Sequence, residues 1–358
     1  MLRTGTTAGG GGTKALHTLE FRGTGSEFFR IWIVNLALTI ATLGIYSAWA
    51  KVRTTRYFRG NTFLAGHPFD YHASPIRILI GRFIAVLVLL GYGVTERISP
   101  TVVVLWATLF LFITPWLLVS SLRFSARNTS YRNVRLNFVG TISGAARVYI
   151  LLPVLSLLTL FTTWPLVHRA RDYYYVNNHT FGGKPFRTQF SGWSIYAIYL
   201  TALGLLLGVG IVAGAMITLM TFPVVRFGPG SQPTAEAIAF LICAYLTVFF
   251  LLAAVRIFVH AMATNLAIGN AVLDGHHELR SNLGAMPLAW IIATNTILTF
   301  LTLGLFYPWA RVRLVRYQAS CVALLAASDL DEFTSEVIAT QGAIGEEIAT
   351  FFDLGISL

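Results

Sequence analysis

The chain has 358 residues, of which 55% are hydrophobic and only 11% charged. A soluble domain carries about 25% charged residues, so charges this sparse exclude a water-soluble globular protein. The net charge of +11 is uneven: all 26 Lys and Arg lie in residues 1–327, and residues 328–358 carry 7 acids and no base.

The cations sit at the ends of apolar runs. That placement fits anionic lipid headgroups and argues against a nucleic-acid partner. Residues 1–20 open on a Gly- and Thr-rich stretch without an apolar core, which predicts a disordered leader and lacks the apolar region of a signal peptide. A bilayer core takes about 20 apolar residues in a helix. Seven runs approach that length, at 31–50, 76–94, 98–122, 148–167, 195–222, 237–255 and 288–310. The second carries Arg77 and Arg82 near its start, where alkyl stems let the charge reach the interface. Between runs, residues 56–75, 123–138 and 178–186 set short aromatic stretches around a turn, and each predicts a small polar β-hairpin.

Internal repetition is the strongest pattern. Residues 35–57 laid over 295–317 without a gap give 12 identities in 23. They include Asn35/Asn295, Thr39/Thr299, Thr42-Leu43-Gly44/Thr302-Leu303-Gly304, Trp49-Ala50/Trp309-Ala310 and Arg56-Tyr57/Arg316-Tyr317. The run at 148–167 is a weaker copy, with Leu158-Thr159 and Trp164-Pro165. Repeats organise a fold, so a membrane domain over 21–327 is expected, with units at about 27–125, 147–260 and 288–320, followed by an acidic tail at 328–358.

The charges bear on topology. Seven full crossings would divide the loop cations 11 to 14, which is almost no bias. If the three Thr-Leu-Gly segments enter and leave on one side, 23 fall together and only Arg97 and Arg226 lie opposite; cations collect on the cytoplasmic side. The fold class expected is therefore all-α and polytopic, with four firm spans, three Thr-Leu-Gly segments that either span or re-enter, and small hairpins between them.

Two candidate sites emerge. Lys51, Arg53 and Arg56, repeated as Arg311, Arg313 and Arg316, follow apolar runs and are candidate lipid-headgroup contacts, or topology anchors. Asn35, Thr39, Asn295 and Thr299 are polar within apolar runs and either line a path or bridge helices. His67, Asp70 and His72, and His276-His277-Glu278, lack convincing metal-ligand spacing. Phosphate-binding and dinucleotide fingerprints are absent. No catalytic, cofactor or metal site is expected, and no enzyme activity. The longest runs hold no carboxylate, since Asp70, Glu96, Asp172 and Glu236 fall in connectors, which counts against a proton-coupled pump.

The residues Phe21-Arg22-Gly23-Thr24-Gly25, Thr42-Leu43-Gly44-Ile45-Tyr46, Trp49-Ala50-Lys51-Val52-Arg53, Arg56-Tyr57, Gly60-Asn61-Thr62 and Phe69-Asp70-Tyr71 resemble the YjgN-like family of bacterial inner-membrane proteins, a domain family of unknown function. The likeness extends to about residue 320 and leaves out the acidic tail. It implies a multi-pass location in the bacterial inner membrane and no particular activity. Two function classes are expected. Transport or channel-like activity is motivated by repeats in a helical bundle. The alternative, an anionic-lipid-binding or scaffolding protein without catalysis, is motivated by the clustered arginines.

Overall fold

The computed structural model describes residues 6–8, 13–95, 99–221 and 235–340. Two short strands, β1 (Thr6–Ala8) and β2 (Thr13–Thr18), and the two-residue β3 (Glu20–Phe21) precede the helices α1 (Gly25–Ala41) and α2 (Ser47–Gly60). Strands β4 (Thr62–Leu64) and β5 (His67–Tyr71) lead to α3 (Pro75–Thr95) and α4 (Pro100–Arg127), and β6 (Thr129–Tyr131) and β7 (Val134–Phe138) follow. A broken helix comes next, made of α5 (Ile142–Ala146), a π-helical turn at Arg147–Leu151 and α6 (Leu152–Leu158), and then α7 (Trp164–Asn177). Strands β8 (His179–Phe181) and β9 (Lys184–Thr188) precede α8 (Gly192–Thr221) and α9 (Ala235–Gly269). The chain continues through β10 (Ala271–Leu273), β11 (His277–Ser281), α10 (Ala285–Leu301), α11 (Tyr307–Ser320) and β12 (Val322–Ala326) to a helix over 330–340, here α12.

The all-α expectation is overturned. The strands form one antiparallel sheet in the order β1-β2-β12-β11-β10-β9-β8-β7-β6-β5-β4-β3. The sheet is barrel-shaped and nearly closed. Its remaining gap is bridged by the chain itself, because β2 and β3 are separated only by Leu19, whose N–H donates to Val322 O at 2.9 Å. The three expected hairpins are present as β4–β5, β6–β7 and β8–β9. What local reading misses is the ladder from each hairpin to the next, such as Phe69 opposite Tyr131, Leu136 opposite Phe181, and Phe186 opposite Leu273. Strands of two to six residues carry too short a pattern to announce partners far along the chain. Residues 13–18 of the expected leader form β2, paired with β12; residues 1–5 and 9–12 of it lie outside the described residues.

The helical segments from α1 to α11 leave the sheet and return to it. The helices α3, α4, α8 and α9 are long and apolar enough to span a bilayer. The three Thr-Leu-Gly segments fold back instead: α1–α2, α5–α7 and α10–α11 are helix–turn–helix hairpins whose two ends join the same sheet. A helix of 17 residues, such as α1 or α10, is about 25 Å long, short of the ~30 Å hydrocarbon core. The tips are apolar and bare, with Leu43 95% and Leu303 94% exposed.

A turn inside hydrocarbon must satisfy its own backbone, and the Thr-Leu-Gly motif does so. Thr42 Oγ1 donates to Leu38 O (2.7 Å) and accepts from Tyr46 N–H (2.9 Å), while Gly44 N–H reaches Thr39 O (2.8 Å). Thr302 repeats this with Leu298 O (2.7 Å) and Phe306 N–H (3.0 Å). Leu43 and Gly44 have φ of 48° and 94°, and Leu303 and Gly304 of 50° and 92°. The middle hairpin keeps the geometry without the glycine: Leu160 and Phe161 have φ of 49° and 62°. A left-handed non-glycine residue costs roughly 1–2 kcal/mol. Phe161→Gly is therefore expected to stabilise the protein by roughly 0.5–1 kcal/mol after the extra flexibility of glycine is counted. Gly304→Ala should destabilise by about 1 kcal/mol through backbone strain alone, since nothing lies within 4 Å of an added Cβ. Reversible unfolding in bicelles measures both, and equal effects of one sign would refute the turn assignment.

Two devices recur at the sheet. The asparagine that ends a helix donates back to the carbonyl four residues earlier, as Asn61 to Tyr57 O, Asn128 to Phe124 O, Asn178 to Tyr174 O and Asn270 to Leu266 O (2.7–2.8 Å). A tyrosine on the returning leg donates to the backbone at the start of a helix or just before it, as Tyr57 to Thr24 O, Tyr174 to Thr141 O and Tyr317 to Gly284 O. The first and last hairpins pack together, and Arg316 Nη2 donates to Gly23 O at 2.8 Å.

Candidate functional site

The six cations expected to meet lipid do not act alike. Arg313 Nη1 donates to Thr294 Oγ1 at 2.8 Å and approaches Asn295 Oδ1 at 3.5 Å. Arg316 holds Gly23 O, and Arg56 Nε donates to Tyr71 O at 3.4 Å. These three tie elements together. Lys51, Arg53 and Arg311 are exposed and their side chains have no hydrogen bond or ion pair among the described residues; Arg311 lies 5.8 Å over the Phe58 ring.

The intramembrane polar residues divide too. Asn295 is 7% exposed and donates to Ala310 O at 2.9 Å, clamping α10 to α11. Asn35 is 4% exposed, and neither atom of its amide has a partner. Thr39 Oγ1 donates to Asn35 O at 2.6 Å within its own helix. Thr299 faces an open groove. The repeat therefore places four matching residues at matching positions but does not bring them to one site.

Three grooves open sideways on the helical bundle, two of them neighbours. One, of about 490 Å³, runs between α10 and α11 and is lined by Ile292, Asn295, Thr299, Tyr307, Arg311 and Leu314 among others. A neighbouring groove of about 440 Å³ shares Thr299 and Tyr307 and reaches Phe28 and Trp32 on the first hairpin. The third groove, of about 700 Å³, lies between α4 and the middle hairpin, with Phe112, Pro115, Ile142, Ile150 and Val154 on its walls and Arg147 as its cation. Arg147 is exposed and unpaired among the described residues. It opens the π-helical turn: Leu152 N–H bonds Arg147 O, five residues back. Pro153, which has no N–H to donate, follows immediately and leaves the ordinary ladder one donor short. Such single π turns frequently mark functional sites. The sequence shows Arg147 only as one of five cations in its connector, with Arg123, Arg127, Arg132 and Arg135; the signal that sets it apart is Pro153, six residues later.

Asp172, expected in a connector, lies on α7 against α8 and α9. His168 Nε2 is 3.8 Å from its carboxylate, and His168 Nδ1 is 2.9 Å from Tyr199 Oη. Among the described residues no group of three or more His, Cys, Asp or Glu side chains gathers as a metal site. His72 Nε2 instead meets Ser130 Oγ at 2.7 Å, and His277 is buried in the sheet. Burial, reinforced by neighbouring His276 and opposed by Asp274, holds His277 below the ordinary histidine range.

Four spans, three re-entering hairpins and a sheet gathered at one end define a polytopic helical membrane protein. The chain belongs to the family described as "Bacterial protein of unknown function (DUF898)", whose model matches residues 16–351. It is similar to Inner membrane protein YjgN of Salmonella typhimurium, with 25% identity over 377 residues that cover 89% of this chain and 91% of the relative. It is also similar to Inner membrane protein YjgN of Escherichia coli (strain K12), with 30% identity over 149 residues, 41% of this chain and 37% of that one. No solved structure matches. The protein is thus a multi-pass inner-membrane protein, as the resemblance implied. The family match runs through α12, which corrects the expected limit near residue 320.

Proposed function

We propose that this protein binds anionic phospholipid in its lateral grooves and acts without catalysis. The observation that carries this reading is the pairing of an apolar groove with a single free arginine, made twice: Arg311 on the last hairpin and Arg147 on the middle one. An acyl chain gains by burying against such walls. A phosphate or carboxylate headgroup meets a guanidinium with no hydrogen bond or ion pair to displace among the described residues. The positive-inside rule sets the sheet end, where the cations gather, toward the cytoplasm. The transport reading draws on the repeats, but Asn35 and Asn295 are packed between helices rather than set along a common polar path.

The test is native mass spectrometry of protein released from membranes of mixed phosphatidylethanolamine and phosphatidylglycerol. The wild type should retain phosphatidylglycerol preferentially. Arg147→Gln with Arg311→Gln should lower that retention about tenfold, corresponding to ~1.4 kcal/mol, while Arg313→Gln should lower stability instead. Retention without headgroup preference, or unaltered by the double variant, would sink the proposal.

A further inference from the structure

The geometry points to a second binding site inside the sheet: a chamber for the end of a hydrocarbon chain, closed by α12. Between the sheet and α12 lies a partly enclosed cavity of about 150 Å³ walled by Leu136, Phe186, Leu279, Leu324, Leu330 and Phe333 among others. Two of its wall residues carry hydroxyls, and both are engaged. Tyr131 Oη donates to Leu64 O at 2.8 Å, and Thr334 Oγ1 donates to Leu330 O at 2.8 Å. The wall offers no polar surface, whereas a trapped water needs about 2–4 polar partners. An apolar cavity of this size stays dry and accepts molecules such as benzene or xenon. Protein interiors are otherwise close-packed, so the chamber selects hydrocarbon and rejects any group that must hydrogen-bond.

The closure is a separate, removable part. Leu330, Phe333, Thr334 and Val337 make the buried stripe of α12, and Asp331, Glu332 and Glu336 face outward. Phe333 lies 4.4 Å from the His277 ring and 6.3 Å from Phe181. Val337 sits over Gly182, where an added Cβ would approach it to 1.9 Å. An ion pair from Arg132 to Asp331 and a bond from Ala327 N–H to His277 Nδ1 (3.3 Å) complete the attachment. All the ladder bonds of the barrel are made without α12, so its withdrawal opens the chamber while the strands stay paired. The chamber holds neither Arg147 nor Arg311 and stands independently of the lateral grooves.

Photo-crosslinking tests the assignment. The full chain in nanodiscs is exposed to decanoic acid carrying a diazirine near its methyl end, irradiated, digested and mapped by mass spectrometry. A second arm supplies the same diazirine chain on phosphatidylglycerol within the disc. Labelling of peptides bearing Leu136, Leu279 or Leu324 is expected. Label from the free acid alone identifies a free chain as the ligand; label from both arms shows that a membrane lipid also delivers one. Label confined to the membrane helices in both arms overturns the proposal. Val322→Phe, on the same face of β12 as Leu324, fills the chamber and should cut barrel labelling about tenfold while sparing helix labelling. Leu279→Phe, which adds less bulk, gives the same reading if the first variant does not fold. Barrel labelling unchanged in a folded variant would also overturn it.

Discussion

Phe333→Ala is expected to weaken docking of α12 by about 3–5 kcal/mol, the usual cost of deleting a buried aromatic side chain. Phe333 is 7% exposed and is a central part of the cluster formed with Tyr131, Phe181, Leu273 and Val337. The charged attachment contributes less. In the pair with Arg132, the Asp331 carboxylate is 72% exposed and the Arg132 side chain 9%; with one partner solvated and one buried, the pair is worth about 1–2 kcal/mol. Limited proteolysis should therefore cut at 328–340 in Phe333→Ala and spare the wild type and Asp331→Asn. Release by Asp331→Asn alone would show that charge, not apolar packing, holds the helix.

The same contact carries a pH dependence. His277 Nδ1 accepts from Ala327 N–H and must be unprotonated to do so. Docked, the imidazole titrates below its ordinary value of 6.5 because it is buried; undocked, without Phe333 against it, it moves back toward that value. Docking is therefore at full strength above about pH 6.5 and weakens as pH falls through the depressed value, because the released state takes up the proton more readily. Protease sensitivity of the tail should rise on acidification in the wild type and lose that dependence in His277→Gln.

The sequence disclosed the helical half of the fold more fully than the sheet. Apolar length gave the four spans, and the Thr-Leu-Gly repeat with the charge tally singled out three further segments while leaving open whether they span or turn back. Gly44 and Gly304 were the visible cue, since a left-handed residue is least costly as glycine. Phe161, which takes the same conformation, hides the third turn. The barrel was legible only in pieces. Each hairpin has a local turn signal, but the pairing of Phe69 with Tyr131 or of Leu324 with His17 joins residues separated by tens to hundreds of positions. The acidic tail reads from its sequence only as an acidic run, because its four buried residues are interleaved with carboxylates; what they pack against, the apolar barrel mouth, lies in no local window. The candidate grooves were half legible. Arg311 was flagged by its cluster, whereas Arg147 needed the π turn and the neighbouring wall of α4 to distinguish it from any other interfacial arginine.

Asn35→Leu and Asn295→Leu are expected to change stability in opposite directions, although the two asparagines align in the repeat. Asn295 binds Ala310 O and lies beside Arg313, so leucine there leaves buried partners unsatisfied and should cost about 1–3 kcal/mol. The equivalent partners in the first hairpin, Ala50 and Arg53, make no bond to Asn35, and Arg53 is turned to the outside. Leucine matches asparagine closely enough in size to fill that site, and it removes an unpartnered amide, so Asn35→Leu should stabilise by about 1–2 kcal/mol. Unfolding equilibria in bicelles decide the matter, and a loss at both positions would mean that the two hairpins share one network. A residue that lowers stability where a leucine would raise it is kept for a reason other than folding. Phosphatidylglycerol retention by the stabilised Asn35→Leu variant then separates two reasons. Retention lost with stability gained ties the buried amide to lipid binding. Retention unchanged leaves the grooves at Arg147 and Arg311 as the whole of the lipid site.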